Sequence, residues 1–583
     1  MPTPYVIGID LGTTNCSLAF AHGESVELFA IPQLTRPGEV RAEALLPSFL
    51  YLPGASDFPE GTIDLPWTGA GSPKNVAGVL GSRRGTEIPA RLIASAKSWL
   101  SWAGVDRSSA ILPLNAPAGV QKLSPVAVSR EYLLHLRNAW DHAHPEAPFD
   151  QQQVHVTVPA SFDAVARELT EQAAVEAGYR NVLLLEEPQA AFYAWIERHS
   201  NWREYVQAGD TVLVVDIGGG TTDFTLIAVT EKSGELQLER VAVGEHILLG
   251  GDNIDLALAR HVEASLAAKN TKLDSLQVYA LWQQCRTAKE KLLEGADAEH
   301  SVTILGKGTG LVGGTIKAKL MRADLDRILL DGFLPIVAST DMPLRPRRSA
   351  LQEAGLPFAS DAAITRHLAR FLRGPNGFVC PTHVLFNGGV LNAEVVRERI
   401  IEVLNAWLRE ENAPPVKHLP GEDLMHAVAR GAAYYGLARQ GNGVRIRGGV
   451  PRTYYVGIES AMPAVPGIAP PLKALTVVPF GMEEGTQMQL PDREFSLRVG
   501  EPAEFRFFQS ATRKTDAAGT LIEDAARELV EMSPVEVTLD GDGQSVRVTL
   551  ESVVTETGML QLWCVARDGR RWKLEFNVRE RIE

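Results

Sequence analysis

The sequence predicts an α/β protein with two related halves, followed by a domain of β-strands. Three observations support this. Two glycine-rich segments, VIGIDLGTTN at residues 6–15 and VLVVDIGGGT at residues 212–221, match at a constant offset and indicate an internal repeat. Strands alternate with helix-like segments between and after the two copies, as in α/β proteins. Beyond residue 453, short alternating runs of apolar and polar residues are separated by Gly, Pro and Asp turns.

Length and composition limit the possible classes of protein. A chain of 583 residues exceeds what one hydrophobic core usually supports, so several domains are expected. The net charge of -14 disfavours nucleic acid and anionic membranes as partners. No apolar run approaches the ~18 residues of a membrane-spanning helix, and the N-terminus lacks the regions of a secretory signal. The four cysteines form no CxxC pair, which favours reduced thiols and a cytoplasmic protein.

Each copy of the repeat predicts a hairpin: a β-branched strand that ends at an aspartate (Asp10 or Asp216), a glycine-rich turn, and a second strand. Apolar residues at three- and four-residue spacing predict helices. The predicted helices span residues 130–143, 164–178, 273–295 and 321–340. Gly178 is predicted to end the second of them in the C′ position.

A change of composition near residue 440 predicts a domain boundary. Residues 441–452 are rich in glycine and arginine and poor in helix formers, which is typical of a linker. The predicted division is therefore a domain of the two related halves at 1–440, a linker at 441–452 and a β-sandwich at 453–583. One short helix is predicted within the β-sandwich, near residues 522–532.

The two hairpins also predict chemistry. A nucleoside triphosphate needs backbone N–H groups aimed at its oxygens, close approach without side chains, and a carboxylate for magnesium. One glycine-rich hairpin would be weak evidence, but two with matching aspartates indicate phosphate binding. The predicted residues are Asp10, Gly12, Thr13, Thr14 and Asn15 in the first hairpin, and Asp216, Gly218, Gly219, Gly220, Thr221 and Asp223 in the second.

Further segments extend the pattern over residues 5–440, and together they give the chain a resemblance to the heat-shock protein 70 (Hsp70) chaperones, a branch of the actin-like ATPase superfamily. The matching segments, in the order of that family, are IGIDLGTTN, VTVPASFDAVARE, LLEEPQAAF, VVDIGGGTTDFTL, LGGDNID and FNGGVLN. The resemblance implies an actin-like fold of two lobes that binds and hydrolyses ATP.

The resemblance also implies roles for individual residues. Asp10 and Asp216 would hold magnesium through water, and Lys97 and Glu187 would lie beside the attacking water. Phosphoryl cleavage needs such positioning and charge neutralisation more than covalent chemistry. Further nucleotide contacts are implied at Gly250, Gly251, Lys289, Gly388 and Gly389. Pro159 and Arg167 are implied to couple the nucleotide state to the rest of the molecule.

Several positions depart from the family pattern. Val390 and Asn392 replace a small polar residue and an arginine after the second glycine pair, and Arg286 stands where an acidic residue is usual. The contacts to adenosine, and with them base preference, are therefore expected to differ. The family's β-sandwich clasps an extended peptide under a helical lid. Here the linker is unusual, the peptide groove cannot be assigned, and the sequence ends after a strand at Glu583. We therefore expect no lid and fast peptide exchange, or a groove reassigned to one partner.

The leading hypothesis is an ATP-dependent chaperone with unfolded or extended polypeptides as clients, assisted by a co-chaperone and a nucleotide-exchange factor. An actin-like scaffold that uses ATP as a clamp is an alternative, and a sugar kinase is a third, although no sugar-pocket motif supports it. Two further features have simple interpretations. The glycine-rich residues 306–314 lack the Walker spacing and predict a turn between strands. Cys16 is predicted to be a buried side chain packed in a strand rather than a redox switch.

Overall fold

The computed structural model describes residues 5–577 except for short segments. The exceptions are residues 24, 70–72, 103, 115, 117–118, 233–234, 296, 307–313, 345–355, 357, 375–376, 422, 442–449, 451, 460–471, 483–484, 491–492, 511–512, 514, 533, 542, 544 and 556–558. The described residues form two compact units, residues 5–227 with 244–441 and residues 228–243 with 450–577. Most of the predicted linker, residues 441–452, lies outside the described residues.

Helices are concentrated in the first unit. The α-helices are α1 (Gly78–Glu87), α2 (Ala96–Leu100), α3 (Pro125–Ala143), α4 (Ala164–Glu176), α5 (Glu187–Arg198), α6 (Gly251–Ala267), α7 (Ser275–Glu294), α8 (Arg322–Arg327), α9 (Ile364–Leu372), α10 (Glu394–Glu410), α11 (Ala427–Arg439) and α12 (Ala525–Glu528). Short 3-10 helices lie at Pro89–Arg91, Phe149–Gln151, Trp202–Glu204 and Gly389–Asn392. Within the described residues, no helix has the length and apolar character needed to cross a membrane.

Strands occur in both units. The first twenty are β1 (Val6–Leu11), β2 (Asn15–His22), β3 (Ser25–Leu28), β4 (Ile31–Arg36), β5 (Glu39–Glu43), β6 (Leu46–Pro47), β7 (Leu50–Tyr51), β8 (Val76–Ala77), β9 (Leu92–Ile93), β10 (Gln153–Val158), β11 (Val182–Glu186), β12 (Thr211–Ile217), β13 (Thr222–Lys232), β14 (Glu235–Val243), β15 (Glu299–Leu305), β16 (Thr315–Met321), β17 (Arg373–Gly374), β18 (Gly377–Phe378), β19 (His383–Asn387) and β20 (Lys417–His418). The remaining twelve are β21 (Thr453–Glu459), β22 (Leu472–Val478), β23 (Thr486–Gln489), β24 (Phe495–Arg498), β25 (Pro502–Phe505), β26 (Phe507–Ser510), β27 (Leu521–Ile522), β28 (Val530–Glu531), β29 (Val535–Thr538), β30 (Ser545–Val554), β31 (Met559–Ala566) and β32 (Arg571–Asn577).

Two sheets repeat one strand order, as the sequence repeat predicts. The first runs β3-β2-β1-β10-β11, with β6 beside β2, and the second runs β14-β13-β12-β19-β20. In the first sheet β1 pairs antiparallel with β2 and parallel with β10, and β10 pairs parallel with β11. In the second sheet β12 pairs parallel with β19, and β19 parallel with β20. We call the elements around the first sheet the first lobe and those around the second sheet the second lobe.

Helix α11 lies closely against the first sheet and α5. A Cβ atom on Gly431 would lie 1.7 Å from the carbonyl oxygen of Ala190 in α5, and one on Gly8 would lie 2.2 Å from that of Ala429. Real Cβ atoms do not approach so closely, so glycine is required at both positions. The close packing of small residues fixes α5, which carries Glu187 at its first position.

The helix predicted at residues 321–340 is shorter in the structure. Helix α8 covers Arg322–Arg327 and is followed directly by a π-helix at Ile328–Phe333. The helical segment ends at Phe333. Pro335 explains the end, because proline restricts the residue before it and has no N–H for a helical bond. The segment after the helix is held by a long-range hydrogen bond, in which the indole Nε1 of Trp407 donates to the carbonyl of Val337 at 2.7 Å. The other predicted helices are confirmed, and Gly178 has the positive φ of 87° expected after α4.

The second unit is rich in β-strands, as predicted. One sheet runs β27-β22-β21-β26-β28, a second runs β23-β30-β31-β32 with β24 beside β30, and β25 pairs with β29. Side chains from both larger sheets, including Tyr454, Leu475, Leu550 and Leu562, belong to one apolar cluster. Of the helix predicted near residues 522–532, the structure has only the short helix α12, and the rest of that prediction is wrong. Residues 530–531 instead form β28 beside β26, because pairing with a neighbouring strand overrides local helix propensity.

A buried histidine predicts how the stability of the fold depends on pH. Burial lowers the pKa of His135 in α3 to about 4, although Nε2 bonds the carbonyl of Pro32 at 2.9 Å. The unfolded chain takes up this proton near pH 6.5 and the folded protein only near pH 4, so the fold loses stability as pH falls through that window. This difference in proton uptake lowers the free energy of unfolding by about 3 kcal/mol between the two pH values.

Replacing His135 with glutamine is expected to keep the hydrogen bond and flatten this dependence. Urea unfolding between pH 7 and pH 4.5 measures the pH dependence of the free energy of unfolding. The control is His142→Gln, at an exposed position on the same helix. Parallel stability curves for the parent and His135→Gln would contradict the prediction.

Candidate functional site

The turns of the two predicted hairpins face each other. A Cβ atom on Gly219 would lie 1.7 Å from Oγ1 of Thr14, and one on Gly220 would lie 2.7 Å from Cγ2 of Thr13. The side chains of Thr13 and Thr14 in the β1–β2 turn therefore pack against Gly219 and Gly220 in the β12–β13 turn, where no side chain keeps the two turns apart. Backbone N–H groups from both turns are thus available to one anionic group between the lobes.

A cavity of about 740 Å³ in the first unit begins at these turns. Most of the predicted site residues line it: Asp10, Gly12, Thr13, Thr14, Asn15, Lys97, Glu187, Asp216, Gly218, Gly219, Thr221, Gly251, Lys289, Gly388 and Gly389. Gly220, Asp223 and Gly250 are not in its lining. The carboxylate of Asp223 instead accepts a hydrogen bond from Ser161.

The N-terminus of α6 holds the second hairpin in place. The N–H of Gly251 donates to the carbonyl of Gly218 at 3.0 Å, and the N–H of Asp252 donates to that of Gly219 at 2.7 Å. A Cβ on Gly250 would lie 2.7 Å from both carbonyl oxygens. Gly250 and Gly251 therefore support the second hairpin, and Gly251 also lines the cavity.

Two carboxylates line the cavity, of which Asp216 is buried and Asp10 is half-buried. Burial, more than the neighbouring Glu187, raises the pKa of Asp10 to about 7, against the lowering effect of Lys97, and burial and Glu187 raise that of Asp216 well above its usual range. The side-chain amide of Asn387 donates to Asp216 at 2.7 Å. A divalent cation would favour the ionised form of both carboxylates, and oxygen ligands suit magnesium. The described residues contain no cluster of three or more His, Cys, Asp or Glu side chains that could hold a metal directly.

Lys97 and Glu187 form an ion pair between α2 and the start of α5. Lys97 is only 6% exposed. Burial lowers its pKa, but the charges of Glu187 and Asp10 outweigh burial, and the net shift is upward. Lys97 is therefore a protonated donor held next to the two glycine-rich turns. Ser95, just before α2, has a left-handed φ of 55°, which turns the chain so that Lys97 enters the cavity.

The departures noted in the sequence have partners in the structure. Arg286 donates to Asp252 and, at 3.0 Å, to Asp255, and Lys289 lies 2.7 Å from Asp255. The unusual arginine is thus neutralised by carboxylates of α6, and Lys289 is fixed by one of them. Sequence reasoning missed these acidic partners.

Sequence reasoning also missed Asn387 and Met425. The register of β12 and β19 places Asn387 directly beside Asp216, and its position just before the glycine pair was the available signal. Met425 lies against Gly389, where a Cβ would be 3.1 Å from its sulfur. No motif in the sequence marks Met425.

Gly388 and Gly389 have different structural requirements, and this gives a matched pair of variants. Gly388 has a φ of 92°, and its Cβ would lie 2.4 Å from the carbonyl oxygen of Ile217. Gly388→Ala is expected to displace the turn and weaken ADP binding at least about tenfold, since a strained backbone here costs on the order of 1–3 kcal/mol. The added methyl of Gly389→Ala meets only the flexible end of Met425, so this variant should change ADP affinity little. Calorimetry measures the ADP affinity of both variants, and equal affinities would contradict the different structural requirements of the two glycines.

Two minor predictions agree with the structure. Cys16 is fully buried, and burial raises the pKa of its thiol to about 12, which makes it unreactive. The glycine-rich segment at 306–314 connects the antiparallel pair β15–β16, and the N–H of Gly306 donates to the carbonyl of Gly314 at 2.6 Å. Its residues 307–313 lie outside the described residues.

Two sheets of the same strand order, each with a glycine-rich hairpin and an aspartate that lines one cavity, define an actin-like ATPase fold. A protein-family model described as Hsp70 protein matches residues 100–361. A Chaperone protein HscA homolog of Bordetella pertussis is 30% identical over 370 residues, which are 61% of this chain and 51% of that protein. A Chaperone protein DnaK of Psychrobacter cryohalolentis is 29% identical over 301 residues, 50% of this chain and 43% of that protein. The chain is therefore similar to Hsp70-family chaperones, and it matches about half the length of these relatives.

Proposed function

We propose that this protein is an ATP-dependent molecular chaperone of the cytoplasm, which hydrolyses ATP to ADP and phosphate and couples hydrolysis to binding of unfolded or extended polypeptide. The proposal is carried by one observation: the Lys97–Glu187 ion pair lines the same cavity as two facing glycine-rich turns and the carboxylates of Asp10 and Asp216. The match to the Hsp70 family model and the relatives named as chaperones support the chaperone role.

The residues of the cavity divide the work of hydrolysis. The turns at Thr13 and Gly219 would bind the phosphates through backbone N–H and hydroxyl groups, with no side chain at Gly219 in the way. Magnesium, held through water by Asp10 and Asp216, would supply charge neutralisation at the phosphates. Lys97 would orient the attacking water and donate to the charge that develops, and Glu187 would hold Lys97 in position.

The second unit would bind the polypeptide. Because two sheets share one apolar cluster, we propose a β-sandwich at residues 453–583. An extended peptide would pair with an edge strand of this domain through main-chain hydrogen bonds, which is the physical basis of β-strand addition. The nucleotide-binding domain would be residues 1–440, with residues 441–452 as the linker that transmits the nucleotide state. A co-chaperone and a nucleotide-exchange factor are further proposed partners.

ATP turnover by the full chain, with and without a permanently unfolded polypeptide, tests the coupling. We expect the polypeptide to stimulate turnover several-fold, because binding in one unit should favour the hydrolysing state of the other. The folded form of the same polypeptide is the matched control. Turnover that both forms leave unchanged would contradict the chaperone proposal, and ATP-dependent sedimentation of the protein alone would favour the scaffold alternative.

A further inference from the structure

A second cavity in the first unit, which we call the aromatic chamber, adjoins the first phosphate turn. Its volume is about 430 Å³, within the range of sites for small molecules. We call the 740 Å³ cavity of the candidate site the nucleotide cavity. The chamber adjoins it and shares six lining residues with it: Thr13, Thr14, Phe49, Asp252, Gln283 and Arg286. Neither Lys97 nor Glu187 lines the chamber, and Trp99, Leu114, Tyr279, Trp282, Leu356 and Phe358 line the chamber and not the nucleotide cavity.

Aromatic side chains from both lobes form its walls. Trp99 follows Lys97 in α2 of the first lobe and is nearly buried, while Tyr279 and Trp282 belong to α7 of the second lobe. The ring centroids of Tyr279 and Trp282 lie 5.9 Å apart at an angle of 79°. The indole Nε1 of Trp282 donates to the carbonyl of Asp252 at 3.1 Å, which fixes the ring. Rigid aromatic walls of this kind favour a planar ring between them.

One polar atom in the wall has hydrogen-bonding capacity to spare. Oδ1 of Asp252 accepts from Arg286, whereas in the described part of the chain Oδ2 has only a long contact of 3.4 Å from the hydroxyl of Ser95. A carboxylate oxygen can accept two hydrogen bonds, so Oδ2 can take a donor from a molecule in the chamber. All three of these residues line the chamber.

Leu356 and Phe358 close the chamber on the outside. Leu356 packs against the main core of the first lobe, and the N–H of Ala359 donates to the carbonyl of Leu248 in the second lobe at 3.2 Å. Phe358 itself is 52% exposed. It can therefore be truncated without opening the core, which makes it a suitable test position.

We propose that the aromatic chamber binds a planar molecule of one or two aromatic rings that carries an N–H donor. The ring would pack against Trp99, Tyr279 and Trp282, and the N–H would donate to Oδ2 of Asp252. Because both lobes contribute walls, such a molecule binds best when the lobes are together. By linkage it slows nucleotide release, and bound nucleotide tightens its binding.

Indole is the probe, and benzofuran, which has the same shape without the N–H, is its matched control. Saturation-transfer NMR titrations use the full chain with saturating ADP, so that the nucleotide cavity is occupied. We expect indole to bind about 3- to 10-fold more tightly than benzofuran, the value of one net hydrogen bond.

Two variants locate the probe. Leu114→Trp, which fills the chamber from a residue that lines only this cavity, is expected to lower indole affinity at least tenfold. Phe358→Ala should lower it several-fold. Leu344→Ala, an exposed apolar residue that precedes the same closing residues and does not line the chamber, should leave it unchanged. If Leu114→Trp fails to fold by its thermal transition, the comparison of Phe358→Ala with Leu344→Ala decides.

Three results would overturn the proposal: no binding of indole in the presence of ADP, equal affinities for indole and benzofuran, or an indole affinity that neither variant changes. Indole binding that ADP abolishes would place the probe in the nucleotide cavity and count against the chamber. All of these outcomes are independent of whether polypeptide stimulates ATP turnover.

Discussion

Replacement of Lys97 by alanine is expected to lower the rate of ATP hydrolysis by about 100- to 1000-fold, the usual effect of removing one preorganised donor to a developing charge. Lys97 is buried, protonated and paired with Glu187 in the cavity of the two phosphate turns. The turns do not depend on it, so ADP binding should change far less. The variant therefore separates hydrolysis from binding.

Single-turnover hydrolysis of preformed protein–ATP complex measures the chemical step, and calorimetry with ADP measures binding. Lys269→Ala, at an exposed lysine just after α6, is the control for loss of a positive charge. Glu187→Gln keeps a hydrogen-bond acceptor for Lys97 and should slow hydrolysis less than Lys97→Ala. Single-turnover rates of Lys97→Ala close to those of the parent would remove Lys97 from the mechanism.

The sequence predicts the parts of this site that are local and repeated. Each hairpin contains its own strand, turn and aspartate, so its form follows from a few consecutive residues. The repeat predicted two related halves, and the structure has them as two sheets of one strand order. What it could not predict is pairing across the chain. Asn387 meets Asp216 only through the register of β19 beside β12, and the two carboxylates that neutralise Arg286 come from a different helix.

The same limit explains the errors in secondary structure. The periodicity of residues 321–340 is helical, but Pro335 and the bond from Trp407 to Val337 end the helix early. Residues 530–531 join a sheet because β26 is available beside them. In both places a contact with a residue far along the chain, or a single proline, outweighs the local pattern.

A buried ion pair gives the second large prediction. Arg167 in α4 is 3% exposed, donates to Glu186 at 2.9 Å, and also donates to the carbonyls of Phe162 and Ala160. Arg167→Ala leaves the fully buried Glu186 without its cation and is expected to lower the free energy of unfolding by about 3–5 kcal/mol. Urea unfolding measures the loss. Arg180→Ala, which breaks the exposed pair with Asp150, should cost much less.

The double variant Arg167→Met/Glu186→Gln tests the cause. If the loss comes from an unpaired buried charge, removing both charges should restore most of the stability, whereas a loss of packing would persist. Glu186 directly precedes Glu187, so the pair also bears on the proposed coupling role of Arg167. A double variant that is stable, binds ADP normally and yet hydrolyses ATP slowly would show that Arg167 positions Glu187. A stable double variant with parental hydrolysis would limit Arg167 to holding the fold.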